Sequence, residues 1–348
     1  AEDGIRDKLV TGVQTCALPI CIGLSPLAVR VLIAAGVFIA FALTTPGLLN
    51  PTFTILPLLR DTASLAIIGL AQLCALAIGQ LNLAVGRMAA VAAMVAGFAY
   101  QVLGVGIVEG ALLGLVVAAL IGVLTGVIIV RSRVNAFIVT LAMDFALSGI
   151  VLAFYQALTQ ATNAFTVKPA GMDDLRNGTL GSLCVGGVCG PAWFPYLLVI
   201  SLVIVALVAV FFDRSTLGRE LLATGANEKA ARLSGIPTER RVILAHTLAG
   251  LLAGTAGIML AYTNGSFSAA IGDQLLIPSF LGPVLGGTSL LGGSVAVVGT
   301  LVGTFLTLTI RYGLQLRGIG LDLLNMALGI VLLVAISAGQ IRRSRGRS

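Results

Sequence analysis

Leu197-Leu-Val-Ile-Ser-Leu-Val-Ile-Val-Ala-Leu-Val-Ala-Val-Phe-Phe212 carries no charge, and the chain changes character directly after it. Arg214-Ser-Thr-Leu-Gly-Arg-Glu-Leu-Leu-Ala-Thr-Gly-Ala-Asn-Glu-Lys-Ala-Ala-Arg-Leu-Ser-Gly-Ile-Pro-Thr-Glu-Arg-Arg241 concentrates nine charged residues, out of 21 basic and 14 acidic in the whole chain, into 28 positions. The apolar run does not alternate polar and apolar residues, as a strand of a membrane barrel would. A helix of roughly 20 such residues spans the hydrocarbon core of a bilayer. The first stretch therefore reads as a membrane helix and the second as the loop that follows it into water.

The same pattern recurs along the 348 residues, which are 58% hydrophobic and only 10% charged. Soluble domains carry about 25% charged residues. The fold expected is an all-α polytopic membrane protein. Hydropathy places about ten spans near 27–45, 54–79, 84–104, 107–130, 135–158, 193–212, 242–262, 276–291, 294–312 and 322–340. The eighth is short and broken by Pro278, Gly282 and Pro283, which suggests a re-entrant or half-spanning element. Irregular backbone at membrane depth needs protein or water around it. The 43 glycines suit helices that approach closely in lipid, where small residues supply the packing. Gly122/Gly126, Gly250/Gly254 and Gly299/Gly303 each present two glycines on one face.

Lys and Arg set the orientation. With the N-terminus inside, fifteen basic residues fall on cytoplasmic segments and four (Lys168, Arg176, Arg311 and Arg317) on the opposite side. The reading is N-in and C-in, with loop 159–192 outside and loop 213–241 in the cytoplasm. This bias also accounts for the net charge of +7 without a nucleic-acid partner. Residues 1–21 have an acidic start and lack the apolar core of a signal peptide. They read as a non-native or disordered segment, or as a short cytoplasmic extension, ahead of a single membrane domain over 22–348.

Cys184 and Cys189 lie in one outer loop, and either a small disulfide hairpin or two free thiols fits. Within the cytoplasmic loop, Asn227 stands at a helix N-cap, Glu228 follows at the positive helix end, and Ser234-Gly235 stops the helix. Thr216 is placed to cap an earlier helix over Leu217 to Thr224, closed by Gly225. A short amphipathic helix in such a loop suits docking into another protein's groove.

Polar residues inside spans are functional candidates. Asp144, about nine residues into its span, either lines a path or pairs with Arg87 or Arg60. Gln80 and Asn82 are candidates of the same kind, with interhelical bonding as the plainer role, as for Gln72 and Asn325. The single histidine, His246, reads as structural. No Gly-x-x-x-x-Gly-Lys-Ser/Thr phosphate loop occurs, and no nucleophile–base set or metal-ligand spacing is visible. The chain reads as a non-enzyme that binds no cofactor.

Thr216-Leu-Gly-Arg219 with Ala223-Thr-Gly-Ala-Asn-Glu-Lys-Ala-Ala-Arg-Leu-Ser-Gly-Ile236 resembles the cytoplasmic coupling loop of ribose-type ABC transporter permeases, in the superfamily that includes branched-chain amino-acid permeases. Gly122-Val-Leu-Thr-Gly126 with Asn135-Ala-Phe-Ile-Val-Thr-Leu141, and Leu285-Gly-Gly-Thr-Ser-Leu-Leu-Gly-Gly293 with Gly299-Thr-Leu-Val-Gly303, are similar to two further stretches of that family. Asn135 stands where the family has proline. Gly79-Gln-Leu-Asn-Leu-Ala-Val-Gly86 departs from the family's Gly-Gly-Ile-Asp-Leu-Ser-Val-Gly: its acidic residue is Asn82 here and its serine Ala84.

The resemblance implies the permease subunit of an ABC importer in the bacterial plasma (inner) membrane. It implies a second permease copy as homodimer or close heterodimer, an extracytoplasmic solute-binding protein, and an ATPase that holds ATP and magnesium. Arg219, Gly225, Asn227, Glu228, Ala231, Arg232 and Gly235 become the residues for ATPase coupling. The cargo expected is a sugar or similar polar solute, with nucleosides or branched-chain amino acids as alternatives. An ion-coupled secondary transporter would need more intramembrane acids or a histidine relay than Asp144 supplies.

Overall fold

A computed structural model describes residues 25–320, apart from 163–167, 183, 186 and 187, together with positions 323, 326, 329, 330 and 333. Residues 1–24, the tenth expected span for the most part, and Asn325 lie outside the described residues. So do the side chains of Cys184 and Cys189, although their backbones pair in a two-residue antiparallel ladder, β1 (Cys184–Val185) with β2 (Val188–Cys189).

The helices are α1 (Pro26–Thr44), α2 (Leu56–Ala77, continuing a wide turn over Pro51–Ile55), α3 (Val85–Gln101), α4 (Ile107–Ser132), α5 (Ala136–Thr162), α6 (Met172–Asn177), α7 (Tyr196–Arg214), α8 (Thr216–Ala226), α9 (Glu228–Leu233), α10 (Thr238–Asn264), α11 (Leu276–Gly286) and α12 (Val297–Leu316). Eight helical segments among the described residues are long and apolar enough to cross a membrane. The expected third span is the exception: α3 has only 17 residues. An irregular stretch, Ile78–Ala84, leads into it. The expected eighth span is short but not broken at Pro278, Gly282 or Pro283: α11 is continuous through all three and ends at Gly286. A short 3-10 turn, Ala269–Gly272, precedes α11, and Pro283 lies inside that helix.

The central element is α2. Every residue from Thr62 to Ala77 is buried; apart from Thr62, Ser64 and Gln72 this stretch is apolar on all sides and must be enclosed by other helices. Helices α7, α10, α11 and α12 pack on it. Small residues decide how close they come. Along α4, Gly110, Gly114, Ala118, Gly122 and Gly126 recur every fourth position and are buried. Val108, Leu112, Val116, Leu120 and Leu124 form the opposite, exposed face. The α4 stripe lies on α10. A methyl group on Gly250 would strike the Ala118 carbonyl, and one on Gly122 the His246 carbonyl. The Gly122/Gly126 and Gly250/Gly254 pairs seen in the sequence thus belong to one crossing. The third pair, Gly299/Gly303 on α12, lies against Gly286 and Gly282 of α11.

Arg317, one of the four basic residues that the charge count assigns to the outer side, lies over the Phe41 ring at 5.2 Å and donates to Thr45 Oγ1 at 3.0 Å. Its charge is held at the helix ends by local partners. Segment 168–195 folds back on the bundle: Met172 is fully buried, and the backbone joins Leu180 to Phe194 and Tyr196 to Gly178.

The α4–α10 crossing predicts the outcome of one pair of substitutions. Gly122→Ala forces a methyl group into a backbone carbonyl, an overpacking cost of about 1–3 kcal/mol. It should lower the melting temperature of the detergent-purified protein by several degrees. Gly36→Ala on α1, with nothing within 4 Å of the added carbon, should leave it unchanged.

Candidate functional site

The segment that follows α7 forms two short helices, with boundaries slightly different from those expected. Ser215, not Thr216, caps α8 by accepting from Gly218 N at 2.9 Å. Gly225 does not close that helix, which continues to Ala226. Asn227 acts as expected: extended at φ −162°, it ends α8 and caps α9, its Oδ1 accepting from Ala230 N at 3.0 Å. Gly235 takes φ +81°, a left-handed conformation that a side chain disfavours, and turns the chain toward α10.

The residues assigned to coupling divide into two groups. Arg219, Asn227, Glu228, Arg232 and Gly235 are exposed, and so is Leu233 at 90%. Ala231 is buried and Gly225 half-buried, both turned toward the bundle. Arg232 pairs with Glu228 at 3.0 Å and donates to Thr238 Oγ1 at 3.1 Å. Glu220 of α8 pairs with Arg241 of α10. These contacts attach α8 and α9 to the root of α10. Beside α9 a polar cleft of about 400 Å³ is lined by Gln80, Arg133, Glu228, Arg232 and Glu239, among others.

Gly225 joins this surface to the core. A methyl group there would overlap the Ala77 carbonyl at the end of α2 and lie 2.8 Å from Gly293 N. Gly293 N donates to Ala77 O at 3.1 Å. A methyl group on Gly292 would lie 2.8 Å from Gly225 O. Three distant stretches therefore meet backbone to backbone: the end of α2, the junction of α8 and α9, and the glycine-rich turn before α12.

Directly beyond this knot runs Ile78–Ala84. Backbone buried away from water must find partners, and here side chains of α2, of α5 and of the stretch itself supply them. Gln72 of α2 brackets Asn82, its amide nitrogen donating to Asn82 O at 2.8 Å and its oxygen accepting from Asn82 N at 3.2 Å. Thr140 of α5 donates to Leu81 O at 3.3 Å. Asn82 Oδ1 accepts from Ala84 N at 3.0 Å. His246 of α10 is completely buried, with Nε2 at 2.9 Å from Gln80 Oε1 and Nδ1 at 3.5 Å from Asn82 Nδ2. Both partners are satisfied when Nε2 carries the proton and Nδ1 accepts. The histidine is structural, as its lone occurrence suggested. Its role as the clasp between Gln80 and Asn82 had no signal in the sequence, because those partners lie more than 160 positions away.

Asn135, where the family has proline, caps the first turn of α5 through Phe137 N at 2.9 Å. Asp144 pairs with Arg87: Nε is 3.6 Å from Oδ1. Arg87 also contacts Asp273, which precedes α11. Arg60 is not its partner; the neighbouring Asp61 accepts from Tyr312 at 2.9 Å. Among the described residues no group of three or more His, Cys, Asp and Glu side chains could hold a metal.

Helices long and apolar enough to cross a membrane, packed as a bundle with the polar α8–α9 segment joined to its core, define a multi-pass membrane protein. The chain belongs to the family described as branched-chain amino acid transport system / permease component, whose model matches residues 54–336. It is 33% identical to the ribose import permease protein of Escherichia coli K12, over 88% of this chain and 91% of that one. It is 31% identical to the L-arabinose ABC transporter permease protein of Azospirillum brasilense, over 91% and 88%, respectively. It is 28% identical to the fructose import permease protein of Rhizobium meliloti, over 91% and 86%. No solved structure matches it. It is a multi-pass inner-membrane permease of ABC importers, a class that works with an ATPase and a solute-binding protein.

The buried network predicts that Gln72→Leu, which strands the Asn82 N–H and C=O, costs about 1–3 kcal/mol. His246→Leu, which strands Gln80 and Asn82, should cost a similar amount. Thermal unfolding followed by circular dichroism checks both, and a melting temperature equal to wild type would contradict the network.

Proposed function

We propose that this chain imports a sugar or similar small polar solute by alternating access, driven by ATP hydrolysed on a separate ATPase. The ribose, arabinose and fructose permeases among its relatives support a sugar as cargo. Nucleosides and branched-chain amino acids remain the second reading, favoured by the family's own description and by Asn82 in place of the acidic residue. Two copies, identical or closely similar, enclose the path. The basic-residue count supports N-in and C-in, with residues from 22 onward forming one membrane unit and the solute-binding protein docking on the face that carries 159–192.

The observation that carries this reading is the backbone knot at Gly225. A force on α9 reaches the end of α2 and the turn at Gly292–Gly293 without passing through any flexible side chain. Exposed Arg219, Asn227, Glu228, Arg232 and Gly235 contact the ATPase, while Gly225 and Ala231 hold the loop to the core. A coupling free energy between two sites requires such an element with two arrangements. Gln80 links the α9 cleft to His246, so Gln80 and Asn82 relay the movement, and Asp144 lines the path.

Glu228→Lys and Gly235→Pro should each lower recovery of the ATPase on affinity purification and reduce ATP-dependent uptake into proteoliposomes at least tenfold, with the permease folded. Unchanged uptake in both variants would show that the coupling residues lie elsewhere.

A further inference from the structure

Arg87, Asp144 and Asp273 come from three separate elements: the first turn of α3, the first third of α5, and the irregular stretch before α11. They meet where the irregular entries to α3 and α11 touch. A methyl group on Gly86 would lie 2.6 Å from Gly272 O, and one on Gly272 would lie 3.0 Å from Ala90 Cβ. Asp144 is eight residues along α5 from Ala136, roughly 12 Å into the bundle at 1.5 Å per residue. At that depth charged groups facing lipid are costly. Yet the three side chains remain 21%, 28% and 51% exposed, respectively. Charges at that depth are far less costly facing water or a polar solute than facing lipid.

The charges do not cancel. One guanidinium serves two carboxylates, so the cluster carries a net negative charge. The second oxygen of each carboxylate has no other protein partner among the described residues. The other polar groups nearby offer a solute little: Gln72, Gln80, Asn82 and His246 engage one another. What remains open is an alternation of acceptor, donor and acceptor across three elements. Neighbouring hydroxyl groups, each able to donate and accept, match that pattern, and the net charge disfavours anions.

We infer that Arg87, Asp144 and Asp273 form a contact site in the path for an uncharged, polyhydroxylated solute, selecting it by its adjacent hydroxyls and against phosphorylated forms. The inference rests on the permease reading above. Irregular backbone at membrane depth occurs where it lines such a site, and here both irregular entries contribute to it.

The test uses the full transporter, reconstituted in proteoliposomes with its ATPase and solute-binding protein. Uptake of radiolabelled D-ribose, L-arabinose and D-fructose is measured beside ATP hydrolysis. Asp273→Asn and Asp144→Asn should lower uptake of the transported sugar at least tenfold while hydrolysis stimulated by the binding protein stays within twofold of wild type. Arg87→Lys keeps the charge but loses the planar fork of donors, and should give the same split. The Asn variants should also narrow the uptake ratio between the sugar and its analogue lacking one hydroxyl. Uptake within twofold of wild type in all three variants overturns the site. A parallel fall in uptake and hydrolysis also overturns it, because that marks a structural ion pair. Wild-type protein that takes up none of the three sugars with ATP overturns the sugar-import reading itself.

Discussion

Backbone N–H and C=O groups inside the hydrocarbon must be paired within the protein, and the arrangement of this bundle answers that demand at one irregular stretch in particular. Ile78–Ala84 leaves the helical ladder between α2 and α3. It is tolerated because Gln72 brackets Asn82, Thr140 takes up Leu81 O, and Asn82 serves Ala84 N. Those bonds require α2 and α5 at fixed distances, and His246 brings α10 to the same place. Four helices are registered by one short stretch of backbone.

Close approach does the rest. Lipid tails give no hydrophobic drive toward helix association, so packing over small residues must hold the helices together. The small-residue stripe of α4 against Gly250 and Gly254 of α10, Gly257 of α10 against Ala89 of α3, and the contacts of Gly282 and Gly286 with α12 bring helices together where a methyl group would not fit. The Gly225 knot applies the same device at the end of the bundle that carries α8 and α9. Such contacts are stiff, because no flexible side chain lies between the backbones.

Much was legible along the chain. Nine of the ten expected spans coincide with described helices, although α11 runs unbroken through Pro278, Gly282 and Pro283, which had suggested a break. Asn227 and Gly235 declared the ends of α9 because capping is a local affair of three or four residues. The misplaced cap at Thr216 shows the limit of that rule: two adjacent hydroxyl residues are equally suited, and the end of α7 gave the position to Ser215. The third span, expected over 84–104, is helical over Val85–Gln101, but the pairing of the irregular stretch before it had no signal in the chain.

Sequence by itself determined the membrane class, the helices, their small-residue faces and the short helix at Asn227, since each is a matter of composition or of neighbours within a few positions. Tertiary structure alone decided what those pieces do together. Asn82 meets His246 across 164 positions and Arg87 meets Asp273 across 186. Asp144 had two arginines within its sequence-level choices, and only the approach of α3 to α5 selected Arg87. Gly79–Gly86, Thr140, Gly225 and Gly292–Gly293 were separate motifs in the chain. They became one assembly because burying the backbone of each required the groups of the others.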